Sequence, residues 1–123
     1  MPAGKKVLFV DDDEVIAMLA AKAVRRLGLE VESFTDSHAA IAAFAAAPSE
    51  YGVVVSDLRL GTSDAFSMCQ ELRRIRAGVP IVLTSGFVRP EDAERARTLG
   101  LGEVLPKQQL MARLPDLLAV LRS

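Results

Sequence analysis

Short apolar runs recur along the chain, and most of them end abruptly at polar residues. Val7–Val10 leads into four acidic residues, and Gly52–Ser56 leads directly into Asp57. Further segments with the length of a strand are Glu30–Phe34, Pro80–Thr84 and Glu103–Leu105. Continuous apolar runs of this length are typical of strands that are buried on both faces of a parallel sheet. The pattern therefore predicts five short strands.

Apolar residues between these strands recur at helical spacing. The stripe from Val15 to Leu27 predicts a first helix, and Gly28 is well placed to end it. Ala39–Ala47 predicts a second helix. Further helices are expected at Phe66–Ile75, Pro90–Leu99 and Leu110–Leu121. Because proline disrupts helical hydrogen bonding, the regular part of the last helix is expected to begin near Pro115.

Strict alternation of strands and helices predicts an α/β fold. Right-handed crossovers place helices on both faces of a doubly wound, five-stranded parallel sheet. In such sheets, ligands bind beyond the carboxyl ends of the strands. The length of 123 residues suits one domain, so residues 1–123 are expected to form a single domain.

Composition narrows the classes of function. Lys and Arg number 15 and Asp and Glu number 16, so a net charge of −1 argues against direct nucleic-acid binding. With one cysteine, Cys69, and one histidine, His38, the chain has neither a disulfide framework nor a plausible set of zinc ligands. No apolar run could insert into a membrane, and the start does not resemble a signal peptide, so a cytoplasmic location is expected.

Polar residues follow four of the five predicted strands. They are Asp11 and Asp12, Asp57, Ser85, and Lys107. Since the strands are parallel, these groups should meet at one rim of the sheet. Three carboxylates at one place repel each other unless a cation is present, and oxygen ligands of this kind suit Mg²⁺. A lysine and a hydroxyl beside them favour phosphoryl transfer, in which a carboxylate can be the nucleophile.

Four segments together resemble one known family, the receiver domains of two-component response regulators. They are Val7–Glu14 (VLFVDDDE), Val53–Leu60 (VVVSDLRL), Pro80–Gly86 (PIVLTSG) and Lys107. The resemblance covers nearly the whole chain and implies a flavodoxin-like fold with strand order 2-1-3-4-5. Ser85-Gly86-Phe87 and Leu105-Pro106-Lys107 are more similar to receivers fused to hybrid histidine kinases than to DNA-binding regulators.

The resemblance also implies a role for each matching residue. Asp57 corresponds to the phosphoacceptor, Asp12 to a direct Mg²⁺ ligand, and Asp11 to a ligand that acts through water. Asp57 and the backbone carbonyl of Arg59 would complete the metal site. Ser85 and Lys107 correspond to the switch hydroxyl and the invariant lysine.

The partners that the resemblance implies are proteins. The phosphoryl donor would be a histidine kinase or a phosphotransfer protein. The output would pass to a downstream protein or a fused domain, through the face formed by the fourth helix, fifth strand and fifth helix. Such a protein is a signalling switch and catalyses only its own phosphorylation and dephosphorylation.

Four positions depart from the family pattern. Gly61 replaces a proline, which predicts a more mobile loop at Gly61–Ser63, and Ala65 replaces a glycine. Val104 replaces the aromatic switch residue, so the usual coupling between hydroxyl and aromatic ring cannot operate. Gln108 replaces a proline reached through a cis bond. The Lys107–Gln108 bond is therefore expected to be trans with a repositioned loop, or a strained cis bond.

Two alternatives remain open at the level of the sequence. The departures favour a pseudo-receiver, a docking module that is no longer phosphorylated. Asp11 and Asp13 after the first strand also resemble the nucleophile and acid/base pair of haloacid-dehalogenase-type phosphatases. That second alternative leaves Asp57 unexplained. Asp13 is expected to serve the start of the first helix instead.

Overall fold

The computed structural model of the protein describes residues 4–61, 63–101 and 104–122. Its main sheet has five strands, which we number in chain order. They are β1 (Lys6–Val10), β2 (Val31–Phe34), β3 (Tyr51–Asp57), β4 (Ile81–Ser85) and β5 (Val104–Pro106). All neighbouring pairs are parallel, in the order β2-β1-β3-β4-β5. The predicted flavodoxin-like order is confirmed. Glu103, the predicted start of the last strand, lies outside the described residues.

Five α-helices connect and follow the strands. They are α1 (Glu14–Arg26), α2 (Ser37–Ala46), α3 (Ala65–Ile75), α4 (Pro90–Thr98) and α5 (Lys107–Leu117). Two short 3₁₀ turns, Pro48–Glu50 and Ala119–Arg122, were not expected from the sequence. Helices α1 and α5 pack on one face of the sheet, and α2, α3 and α4 pack on the other. The prediction of helices on both faces is confirmed.

The central strands are buried on both sides, which explains their uninterrupted apolar sequences. In β1, Val7 and Phe9 contact the cluster under α1 and α5, whereas Leu8 and Val10 contact the opposite cluster. All seven residues of β3 are buried. Because both faces of the sheet are covered, each side chain of these strands meets an apolar layer.

Helix α1 ends as its sequence predicts. Gly28 has a positive φ of 82°, and its N–H donates to the carbonyl of Arg25 at 2.9 Å. The N–H of Leu29 donates to the carbonyl of Val24 at 3.4 Å. These two bonds form a Schellman motif, which needs a left-handed residue that glycine supplies without strain.

The predicted start of the last helix is wrong. Helix α5 begins at Lys107 rather than near Pro115, and Pro115 lies inside it. Pro115 comes two residues before the helix ends at Leu117, so few hydrogen bonds are at stake there. Burial of Leu110 and Leu114 against α1 and the sheet favours the helix over this local cost.

The chain after Lys107 enters a helix at once, without an intervening loop. No cis peptide bond occurs in the described residues, so the Lys107–Gln108 bond is trans. The trans bond of the first alternative is therefore confirmed, although a helix and not a repositioned loop follows it, and the strained cis alternative is wrong. A non-proline residue at position 108 provides the physical reason, because cis bonds are costly there.

Candidate functional site

Three acidic side chains converge at the carboxyl ends of β1 and β3. Asp11 and Asp12 follow β1, and Asp57 is the last residue of β3. One carboxylate oxygen from each lies within 4.8 Å of the other two. Asp11 is fully buried and Asp57 is 6% exposed, whereas Asp12 is exposed. The structure therefore brings together the three acids that the sequence singled out.

Lys107 joins this cluster from the end of β5. Its Nζ lies 3.1 Å from Oδ2 of Asp57 and 3.1 Å from Oδ2 of Asp11. It also donates a hydrogen bond to Oδ1 of Asp11 at 3.4 Å. Lys107 reaches the cluster because it directly follows β5, and the carboxyl ends of the parallel strands lie at one rim of the sheet. One ammonium thus offsets part of the charge of two buried carboxylates.

The environment shifts the protonation of both groups in this pair. Burial raises the pKa of Asp57, the hydrogen bond and charge of Lys107 lower it, and the charge of Asp11 raises it again, for a net rise. A backbone hydrogen bond from Arg59 also lowers the pKa of Asp57. Burial lowers the pKa of Lys107, but its hydrogen bonds to Asp11 and Asp57 outweigh that effect and raise it. The lysine is therefore firmly charged.

Buried Asp11 keeps an oxygen with unused acceptor capacity. Its Oδ1 accepts the N–H of Asp13 at 2.9 Å. Its Oδ2 receives no well-oriented hydrogen bond from the described residues, although it lies in ion-pair range of Lys107. A buried carboxylate oxygen in this condition is costly unless a cation compensates it. The donor chemistry of the cluster therefore suits a hard divalent cation.

Asp12 contacts the segment that follows β3. Its Oδ2 accepts the N–H of Gly61 at 3.1 Å. Gly61, with φ of 68°, follows the first strand of a short antiparallel hairpin formed by Arg59–Leu60 and Ser63–Asp64. This hairpin corrects the prediction of a loop at Gly61–Ser63, because Ser63 is part of a strand. Thr62 lies outside the described residues.

A cavity of about 380 Å³ opens beside Asp57. Asp57 and Lys107 of the cluster line it, and so does Ser85 at the end of β4. Ser85 is buried, and its Oγ donates to the carbonyl of Phe87 at 2.8 Å. The same oxygen accepts the N–H of Phe87 at 3.3 Å. Ser85 thus lines the pocket, and its hydroxyl is held in a local turn.

Two arginine side chains that the sequence did not point to also line this cavity. Arg59 and Arg89 belong to the pocket wall. Nη2 of Arg59 lies 3.1 Å from Oδ2 of Asp92 in α4, and the same oxygen accepts the N–H of Arg89 at 3.3 Å. The one available signal was Asp92 itself, an acid two residues after Pro90, the expected first residue of a helix.

Asp13 lies outside the cluster and caps a helix. Its Oδ1 accepts the N–H groups of Val15 at 2.9 Å and Ile16 at 3.3 Å, at the start of α1. The expectation that Asp13 serves the first helix is confirmed. The Asp13 carboxylate accepts these hydrogen bonds, whereas the phosphatase alternative requires it to be free to act as acid/base.

The comparisons identify the family. The model of the response regulator receiver domain family matches residues 7–119, and the chain belongs to this family. The transcriptional regulatory protein RprY of Bacteroides fragilis is 27% identical over 109 residues, which are 89% of this chain and 45% of RprY. The response regulator receiver protein Anae109_2439 of Anaeromyxobacter is 31% identical over 113 residues, 92% of this chain and 47% of that protein.

Longer relatives and solved structures agree with this assignment. Ethylene receptor 2 of rice is 29% identical over 116 residues, which are 92% of this chain and 15% of the receptor. The chain therefore spans less than half the length of these three relatives. The structure of chemotaxis protein CheY4 of Vibrio cholerae superposes with a TM-score of 0.84 at 25% identity, covering 97% of this chain and 99% of CheY4. Receivers are signalling switches in two-component systems rather than classical enzymes.

Among the described residues, no helix has the length and apolar character needed to cross a membrane.

Proposed function

We propose that this receiver is a phosphorylation-activated switch in a two-component phosphorelay. Asp57 accepts a phosphoryl group from a phosphohistidine on a histidine kinase or phosphotransfer protein. The observation that carries the proposal is the contact of Lys107 Nζ with Oδ2 of Asp57 and of Asp11, at 3.1 Å each, beside an open pocket. A buried carboxylate next to an ammonium and a cavity is equipped to attack phosphorus.

The proposed transfer makes one bond and breaks one. A carboxylate oxygen of Asp57 attacks the phosphorus and forms an acyl phosphate. The P–N bond of the donor breaks, and its electron pair remains on the imidazole nitrogen, which then takes up a proton. Lys107 holds a phosphoryl oxygen as a point charge. The Ser85 hydroxyl leaves the carbonyl of Phe87, 2.8 Å away, and donates its hydrogen to another phosphoryl oxygen.

The residues present fit a magnesium ion. Three carboxylates and one ammonium leave a formal charge of −2 in the cluster, which one divalent cation neutralises. Asp11, Asp12, Asp57 and the backbone carbonyl of Arg59 would hold the ion. When bound, Mg²⁺ supplies charge neutralisation for the phosphoryl oxygens.

We extend the proposal to the bounds of the domain, its location and its output surface. Residues 1–123 act as one cytoplasmic receiver domain, without direct binding to nucleic acid and without membrane insertion. The phosphorylated form signals through α4, β5 and α5 to a downstream protein or to another domain of a longer chain. Support comes from the relatives, because RprY is named as a transcriptional regulatory protein and the rice relative as a receptor.

A pseudo-receiver is the second candidate. The observation that favours it is the hydrogen bond from Gly61 N–H to Asp12 Oδ2, which occupies an oxygen that the metal would use. Val104 and Gln108 depart from the family pattern in the same direction. Such a protein would bind its partner without being phosphorylated.

Mass spectrometry of the intact protein separates the two candidates. We expect incubation with acetyl phosphate and Mg²⁺ to add one phosphoryl group to the wild type. The adduct should be absent without Mg²⁺ and absent in Asp57→Asn. Ser56→Ala, a change at the neighbouring buried position, serves as the matched control and should keep the adduct. A wild type that gains no phosphoryl group from acetyl phosphate, and none from a phosphorylated histidine phosphotransfer domain, would support the pseudo-receiver.

A further inference from the structure

The side chain of Arg59 connects the pocket wall to α4. It starts two residues after Asp57 and lines the same cavity as Asp57 and Lys107. Its Nη2 lies 3.1 Å from Oδ2 of Asp92, and its side chain is 43% exposed while that of Asp92 is 12% exposed. The arginine can therefore move with little loss of packing, whereas the aspartate is nearly enclosed.

Polar contacts hold both ends of helix α4. Ala96 and Asp92 are its buried residues, and Val88 and Leu99, which flank the helix, pack partly against the core. At its start, Asp92 accepts the N–H of Arg89 and pairs with Arg59. At its end, Arg73 Nη1 donates to the carbonyls of Leu99 and Gly100, at 3.3 and 3.0 Å. Loss of one of these contacts should therefore affect where the helix lies.

Phosphorylation changes the charge that Arg59 faces. Transfer replaces the single negative charge of the Asp57 carboxylate by a dianionic phosphoryl group, which adds one negative charge and several acceptor oxygens to the pocket. A planar guanidinium pairs well with phosphoryl oxygens through parallel N–H groups. Lys107 is already engaged by Asp11 and Asp57, so Arg59 is a well-placed additional cation on this wall.

We propose that Arg59 is a phosphoryl-binding residue that exchanges partners on phosphorylation. In the resting protein it pairs with Asp92, and in the phosphorylated protein it pairs with the phosphoryl group on Asp57. The exchange leaves the nearly buried Asp92 carboxylate without its counter-charge, which favours movement of the first turns of α4 toward water. This route needs no aromatic side chain at Val104. The inference rests on the proposed phosphorylation of Asp57 and adds the path by which it reaches α4.

Backbone amide NMR of α4 tests the exchange. Spectra of residues 93–98 would be recorded before and after treatment with acetyl phosphate and Mg²⁺, with the adduct fraction measured by intact mass in the same samples. In wild type, these amides should shift on phosphorylation. In Asp92→Asn, which keeps an acceptor for the N–H of Arg89, the resting spectrum should already lie at least half of the way toward the phosphorylated wild type.

Variants of Arg59 complete the test. At equal adduct fraction, Arg59→Gln should reduce the phosphorylation-induced shifts of α4 to less than half, and Arg59→Lys should restore part of them. The matched control is Glu94→Gln, which removes a carboxylate that pairs with Arg97 on the same helix. Because that pair does not involve Arg59, the phosphorylation-induced shifts of this variant should match those of wild type.

The outcomes distinguish this proposal from the one on which it rests. An adduct on wild type with undiminished α4 shifts in Arg59→Gln would overturn the exchange and leave the phosphorylation of Asp57 intact. A resting spectrum of Asp92→Asn identical to wild type would overturn it as well. Failure of wild type to form an adduct with acetyl phosphate and with a phosphorylated histidine phosphotransfer domain would overturn both proposals.

Discussion

Lys107 influences the protonation of Asp57, the proposed phosphoacceptor. Burial raises the pKa of Asp57, and the ammonium of Lys107 limits that rise through a hydrogen bond and its charge. In the proposed reaction the carboxylate form of Asp57 attacks phosphorus, so we expect phosphorylation to increase as pH rises through the pKa of Asp57. Under the proposed function the lysine therefore has two roles, binding the phosphoryl group and keeping Asp57 ionised at lower pH.

Lys107→Met separates these effects. We expect the rate of adduct formation with acetyl phosphate to fall about a hundredfold, as for the loss of a charge-stabilising donor. The acidic limb of the pH profile should also move to higher pH, because the pKa of Asp57 rises further without the ammonium. Initial rates from intact mass across a pH series measure both. Lys22→Met, an exposed lysine of α1, is the control, and an unmoved limb would contradict this role of Lys107.

Among the helices, the end of α1 allows a test of how much a left-handed glycine, Gly28, contributes to stability. Gly28 has φ of 82°, and a Cβ atom there would meet nothing within 4 Å. Gly28→Ala should therefore lower the free energy of unfolding by about 1 kcal/mol through backbone strain alone. Urea unfolding measures the change. Gly78→Ala is the matched control, since Gly78 is also uncrowded and lacks a left-handed φ, and it should be neutral or slightly stabilising.

Elements with strong local signals could be predicted, and those set by tertiary contacts could not. Gly28 ends α1 because its preference is local. The start of α5 could not be predicted from the local preference of Pro115, because burial of Leu110 and Leu114 stabilises the helix around it. The short hairpin after Asp57 has two-residue strands, which are too short to produce an alternating pattern.

The contacts of the candidate site also fall into those that could be predicted from the sequence and those that could not. Asp11, Asp57 and Lys107 could be placed together because parallel strands end at one rim. The pair between Arg59 and Asp92 could not, since these residues are 33 positions apart and each has an ordinary local explanation. Asp92 is typical of a helix start, and Arg59 of an exposed turn.

For the whole molecule, the site depends on the order of the sheet. β1 and β3 are adjacent, which places Asp11 and Asp12 beside Asp57. β4 and β5 follow on the other side of β3, which brings Ser85 and Lys107 to the same rim. Two apolar clusters, one on each face, fix this arrangement. The chemistry is thus assembled from four strands, and no single segment contains it.

Locating the phosphoryl group on the chain decides whether Asp57 is the acceptor. Protein treated with acetyl phosphate and Mg²⁺ would be reduced with borohydride, which converts an aspartyl phosphate to homoserine, and its peptides would be sequenced by mass spectrometry. We predict homoserine at position 57 alone. Homoserine at position 11 or 12, or a phosphoryl adduct that resists borohydride, would contradict it.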